Sequence, residues 1–204
     1  MKILTTLLLF MLLAFNANMA KSATVINFDE FTDTYTSLQN LPGYYGFDWN
    51  NLVVLNPAKA EYDPNSGFYK GVVSSPNVVY NDNSLPAYVS SNSSFDFDEA
   101  YFTAAKYGYP SLLLTITGFV GNTESSKNYT IYTDSPTLIE ANLKNIDKVS
   151  FEVHTDSGQA GQFAMDNFTY SIPSASTPEP SSMIFGLVGL LLLGFRKKQL
   201  ITLF

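Results

Sequence analysis

An all-β, jelly-roll-like sandwich is the fold predicted for residues 24–173, and three observations predict it. Apolar and polar residues alternate along several stretches, the period of a strand with one buried face. Amphipathic helical periodicity is scarce in the same region. Clusters of Gly, Pro, Asn, Asp and Ser cut the alternating runs into short pieces, as in sandwiches and jelly rolls.

Each element has its own reason. Residues 24–28 and 52–55 are rich in Val, Ile and Leu, and residues 78–80 are Val-Val-Tyr, all β-formers. Residues 94–97 and 100–107 read as two strands, with Asp96 and Asp98 on an exposed face opposite Phe95 and Phe97. Leu112, Leu114 and Ile116 face one way, and Leu113, Thr115 and Thr117 the other. Tyr129 and Ile131 alternate with Thr130 and Tyr132. Val149, Phe151 and Val153 alternate with Ser150, Glu152 and His154, a half-buried strand. The last strand covers 162–171, where Phe163 and Met165 point one way but Phe168 and Tyr170 require a change of parity. A β-bulge at Asp166-Asn167 is the expected device. Turns are expected at Leu41-Pro42-Gly43, Asp63-Pro64-Asn65-Ser66-Gly67, Asn81-Asp82-Asn83, Gly121-Asn122 and Asp156-Ser157-Gly158. No fixed-period repeat is present, which argues against a propeller or solenoid.

Charge is unevenly placed. Five of the 11 cations and one of the 18 acids lie near the chain ends, so residues 24–173 carry a formal charge of −11. Such a surface repels phosphate backbones and anionic lipid, which argues against nucleic-acid binding. It is compatible with divalent cations, and equally with solubility alone. The absence of cysteine excludes thiol nucleophiles, Cys-ligated zinc and iron–sulfur clusters.

Both ends read as processing signals. Lys2, the apolar residues 3–15 and Ala17-Asn18-Met19-Ala20 predict a signal peptide over residues 1–20, hence export. At the other end a small polar linker, residues 174–177, precedes Pro178-Glu179-Pro180, an apolar run over 183–195 and Arg196-Lys197-Lys198. A helix over that run covers only ~20 Å, against a hydrocarbon core of about 30 Å. It is a short transmembrane helix whose trailing cations favour a cytoplasmic C-terminus.

Pro178, Glu179 and Pro180, the helix with Gly186, Gly189 and Gly194, and the basic stop Arg196, Lys197 and Lys198 resemble the PEP-CTERM sorting signal of Gram-negative bacteria. Residues 199–204 continue past the basic cluster, a departure from that pattern. The resemblance implies an exosortase, a membrane cysteine protease, as processing partner. It also implies passage through the inner membrane, a transient stay there, and delivery to the cell surface or extracellular matrix. An ordinary C-terminal anchor is the competing reading of the same tail.

The central region is similar to a class of PEP-CTERM ectodomains along three stretches. These are Gly43-Tyr44-Tyr45-Gly46-Phe47-Asp48-Trp49-Asn50-Asn51, Ser66-Gly67-Phe68-Tyr69-Lys70-Gly71-Val72-Val73-Ser74 and Phe163-Ala164-Met165-Asp166-Asn167-Phe168-Thr169-Tyr170. The resemblance implies a jelly roll similar to galactose-binding or carbohydrate-binding modules, with no defined activity.

Three chemistries are conceivable. Catalytic equipment is sparse: His154 is the single histidine, and no nucleophile elbow, phosphate loop or zinc helix motif is present. No catalytic residue is assigned and the domain reads as no enzyme. The alternative is a secreted glycan hydrolase using Asp96, Asp98 and Glu99, since glycosidases pair carboxylates. A structural calcium ion is a better candidate cofactor. Asp29 and Glu30 follow the first strand and Asp166 and Asn167 lie in the last, and calcium prefers such oxygen ligands. Asp166 and Asn167 could instead bond the backbone of the bulge. Glycan binding, with exopolysaccharide as partner, is the third. Tyr44, Tyr45, Trp49 and Tyr69, with Phe47 and Phe68 nearby, lie in Gly-rich stretches and could offer faces for sugar stacking. The same aromatics could equally fill the core.

Overall fold

In a computed structural model, which describes residues 22–105 and 108–173, eleven strands pair antiparallel into one folded sheet. They are β1 (Ala23–Ile26), β2 (Tyr35–Ser37), β3 (Asp48–Asn50), β4 (Leu52–Leu55), β5 (Val78–Asn81), β6 (Ala87–Ala104), β7 (Ser111–Val120), β8 (Thr123–Tyr132), β9 (Thr137–Ile139), β10 (Leu143–His154) and β11 (Phe163–Ser171). A single helical turn, α1 (Gly67–Lys70), lies between β4 and β5.

The 18-residue β6 makes the sandwich, because its two halves serve different layers. Residues 87–90 pair with β3 on one side and β10 on the other. Residues 100–104 pair instead with β9 and β11. One layer therefore runs β3-β6-β10-β7-β8, and the other runs β9-β6-β11-β5-β4-β2 with β1 also on β11. The register between β6 and β10 slips twice near residues 143–148, which leaves residues 91–94 of β6 out of the ladder. Bulges of this kind bend a strand and strengthen its twist, as a change of layer requires.

Between the layers lies an aromatic core. Phe151 of the first layer packs on Phe163 of the second at 6.0 Å between centroids, and Phe97 stacks on Phe168 at 4.9 Å. Trp49 meets Phe168 edge-on at 5.3 Å. Edge-to-face and offset pairs of this kind add to the area term of burial. The expected faces of β7 and β10 are present: Leu112, Leu114, Ile116, Val149, Phe151 and Val153 are all buried. So is the expected bulge. Between Asp166 and Thr169 the register with β6 slips by one residue, and Asn167 takes a positive φ of 54°. That extra residue is what lets Phe163, Met165, Phe168 and Tyr170 share one core.

The excursion over residues 56–77 covers the outside of the second layer. Its α1 starts at Ser66, whose hydroxyl accepts from the Tyr69 N–H. It lies flat because Gly67 and Gly71 have no side chain: a Cβ on Gly67 would sit 1.8 Å from the Ala104 carbonyl oxygen. Phe68 inserts against Leu55, Val78 and Ala164, forming a second, smaller core.

Several expectations need correction. The runs 94–97 and 100–107 are parts of one strand that begins at Ala87 and ends at Ala104. Asp96 is not on an exposed face but 4% exposed, because Lys144 and the Asn145 N–H from the bulged start of β10 close over it. Strands β2, β3 and β9, three residues each, were too short for alternation to reveal. The signal peptide 1–20, the linker 174–177, Pro178, Glu179 and Pro180, the apolar run 183–195 and Arg196, Lys197 and Lys198 lie outside the described residues. Among the described residues no helix is long and apolar enough to cross a membrane.

Truncating Phe168, fully buried where Trp49, Phe47 and Phe97 converge, removes the centre of this core. Phe168→Ala is expected to lose about 3–5 kcal/mol of stability. Urea unfolding followed by Trp49 fluorescence measures it.

Candidate functional site: an open sheet face

Since the excursion covers the second layer, the outside of the first is the broad sheet face left open among the described residues. Register lines up its outward residues in rows. Asp48, Ser90, Lys148, Phe119 and Glu124 form one row across β3, β6, β10, β7 and β8. Asn50, Tyr88, Ser150, Thr117 and Ser126 form the next. Cross-strand hydrogen bonds brace the face: Thr117 to Ser126 at 2.8 Å and Thr115 to Asn128 at 2.9 Å.

Lys148 is central. Its ammonium lies 3.9 Å from the Phe119 ring centroid and 5.7 Å from that of Tyr88. A cation over a ring face is held by the ring quadrupole, so Lys148 ties two aromatics into one patch. Asp48, Ser90, Asp147 and Lys148 line a cleft of about 470 Å³ here, with Ser91 and Asn92 forming part of its wall. Asp147 accepts a 2.7 Å hydrogen bond from the Gly121 N–H, which fixes the β7–β8 turn beside it. A smaller cleft of about 260 Å³ adjoins it through Asp48 and Ser90 and reaches Asn50 and Tyr88. Tyr88 and Phe119 escaped sequence reasoning, since an aromatic in an alternating strand looks alike on either face. Their spacing across β10 is visible only through register.

The aromatics expected to bind sugar divide. Tyr44 and Tyr45 meet edge-on at 4.9 Å, Tyr45 exposed and Tyr44 half-buried. Tyr44 donates to the Glu30 carboxylate, and burial with that bond pushes its phenol far above the usual range. Tyr44 and Glu30, together with Phe31, Leu41 and Pro42, line a third cleft of about 460 Å³. Trp49 is 3% exposed in the core, with its N–H given to the Tyr44 carbonyl, so it offers no open face. Phe47 and Phe68 are buried as well. Tyr69 is exposed, but on α1 over the other layer.

The four residues considered for calcium are partly gathered, since β1 and β11 do pair. The three carboxylates, Asp29, Glu30 and Asp166, accept hydrogen bonds instead. Asp166 is fully buried beneath the excursion. It accepts from the Val73 N–H, the Ser74 N–H and hydroxyl, and the Asn167 N–H at 2.7–2.9 Å. Asp29 accepts from the Asn77 N–H at 3.2 Å, and Glu30 accepts from Tyr44. A carboxylate ringed by four donors presents protons to any arriving cation, so this arrangement does not fit calcium. Both Asp29 and Asp166 hold the same loop, residues 73–77. Among the described residues no group of three or more His, Cys, Asp and Glu gathers as a metal would need.

Of the three acids considered for hydrolysis, Glu99 is half-buried on β6, and Asp96 and Asp98 are engaged by neighbours. Lys144 bridges Asp98 at 2.7 Å and Asp96 at 3.5 Å, and Asp98 accepts from the Ser171 hydroxyl at 2.6 Å. His154 lies on the open face beside Glu152 at 3.1 Å.

No family model and no curated protein matches this chain. Solved structures of similar shape include the K2 cleaved adhesin domain of Lys-gingipain, at 11% identity, over 74% of this chain and 98% of that one, with a TM-score of 0.42. The K1 adhesin domain of Lys-gingipain from Porphyromonas gingivalis W83 has 12% identity over 76% and 99%, with a TM-score of 0.40. A family 61 carbohydrate-binding module solved with β-1,4-galactotriose has 10% identity over 69% and 99%, with a TM-score of 0.35. These are distant likenesses of architecture.

Burial raises the Asp166 carboxyl to about 6 from 3.8, against the opposing hydrogen bonds of Ser74, Val73 and Asn167. With the folded value above the unfolded one, its linked stability is greatest below 3.8 and is lost as pH rises through about 6. Carbon-detected NMR titration is expected to show one aspartate with a midpoint near 6, absent in Asp166→Asn. That variant also turns an amide toward donors and is expected to lose about 1–3 kcal/mol.

Proposed function

We propose that this chain is an exported, non-catalytic surface or matrix protein whose sandwich binds glycan on its open sheet face. Its PEP-CTERM tail, with Pro178, Glu179 and Pro180 as recognition tripeptide, is sorted and processed by an exosortase of a Gram-negative bacterium. One observation carries the glycan reading: Tyr88, Lys148 and Phe119 form an aromatic patch on a face left open among the described residues. Sugar rings offer C–H faces to aromatic rings and hydroxyls to polar neighbours, here Asp48, Asn50 and Ser90. The setting is an exopolysaccharide or biofilm matrix, consistent with a sorting signal at the tail. Tyr44 and Tyr45 extend the aromatic surface at one end; Trp49 supports it from beneath.

The hydrolase reading has less support. A glycosidase needs two carboxylates free to act on one bond, whereas Asp96 and Asp98 share Lys144.

Two measurements test the proposal. Electrophoresis through gels cast with linear polysaccharides is expected to show retardation that weakens about tenfold in Tyr88→Ala and again in Phe119→Ala. Equal retardation of both variants and the parent would refute the face as the site. Mass spectrometry of the mature protein from its host is expected to show a C-terminus near residue 180. Recovery of intact Leu203-Phe204 would refute exosortase processing.

A further inference from the structure

Three clefts described separately share walls. The cleft at Phe31 and Tyr44 meets the middle one along Leu41 and Pro42, and the middle one meets the Lys148 cleft along Asp48 and Ser90. The outer two, about 460 and 470 Å³, are of small-ligand size and the middle one, about 260 Å³, is narrower, and the three follow one another across the edge strand and onto the sheet. Among the described residues both end clefts are open: Tyr44 borders one and Gly121 of the β7–β8 turn flanks the other. A pocket for a chain terminus or a single sugar would be enclosed, with polar groups converging on one point. This one is a track.

From the clefts' shared walls we infer that this groove takes an internal segment of a linear glycan, several sugars long, without acidic substituents. The inference rests on the glycan reading above and specifies its ligand. Carboxylates stand in the end clefts and at the middle junction: Glu30, Asp48 and Asp147. Among the described residues Lys148 is the one cation lining them, and its ammonium is engaged by Phe119. A chain carrying carboxylates or sulfates meets three like charges for one opposite, within a domain of formal charge −11. The remaining equipment suits hydroxyls: Asn40, Gln39, Asn50, Ser90, Ser91 and Asn92 are spread along the length rather than gathered. Binding energy is then distributed over successive contacts, so affinity grows with chain length.

The test uses the full chain with a panel of linear polymers: a neutral glucan, xylan, galactan and mannan, with polygalacturonate and alginate as acidic counterparts. At least one neutral polymer is expected to bind and both acidic ones to fail. For the bound polymer, its hexasaccharide is expected to compete at least about tenfold better than its disaccharide. Chemical blocking of both chain ends is expected to leave binding unchanged. Equal binding of an acidic polymer, equal competition by the disaccharide, or loss on end-blocking overturns the internal, non-acidic segment while leaving glycan binding intact. Failure of every polymer, neutral and acidic, overturns both. Glu140→Gln, exposed beyond β9 and away from the groove, is expected to bind like the parent, whereas Asp48→Asn lessens the discrimination against polygalacturonate.

Discussion

The passage of β6 from one layer to the other is the constraint on which the rest depends. A strand whose N-terminal half pairs with β3 and β10 and whose C-terminal half pairs with β9 and β11 must turn between them. It does so where Phe95 and Phe97 are both buried and the pairing with β10 slips. The polar residues carried through the turn have to be satisfied locally, because they cannot all reach water. Asp96 is the clearest case: buried beside core phenylalanines, it draws in Lys144 and the Asn145 N–H. Removing one partner of such a group costs more than the pair itself contributes. The same turn pushes residues 91–94 outward, and residues 91–92 become one wall of the groove.

Coverage decides which surface is available. The second layer is roofed by residues 56–77, held down by Phe68 and by the approach of Gly67 to the Ala104 carbonyl. Beneath that roof Asp166 organises residues 73–74 through backbone donors, while Asp29 and Asn77 tie the loop to the end of β1. Two carboxylates that look like metal ligands in sequence thereby serve as loop anchors. Among the described residues the first layer has no such roof. Its outward polar rows and the Tyr88–Lys148–Phe119 patch remain in contact with solvent.

Legibility varied by kind of feature. The bulge at Asp166-Asn167 was readable because side-chain parity in a strand is strict: Phe168 and Tyr170 could join Phe163 and Met165 only with one extra residue. The buried faces of β7 and β10 were readable for the same reason. Asp96 was misread, since alternation with Phe95 and Phe97 gives a face but not what lies against it. Trp49 and Phe68 were indistinguishable from exposed aromatics in Gly-rich segments until their neighbours were known. The candidate site was the least legible part, because Asp48, Tyr88, Lys148 and Phe119 are contributed by four strands spread over about a hundred residues.

Local periodicity and turn chemistry by themselves determined that this chain makes an all-β domain, where its main strands run and where the last one bulges. Composition alone made that domain acidic and free of thiol chemistry. Which strands are neighbours, which face is covered and which aromatics share a patch came only with the tertiary structure. The physical reason is range. Alternation and turns act between residues a few positions apart, whereas a cross-strand row is set by register among segments the chain brings together only when the core closes.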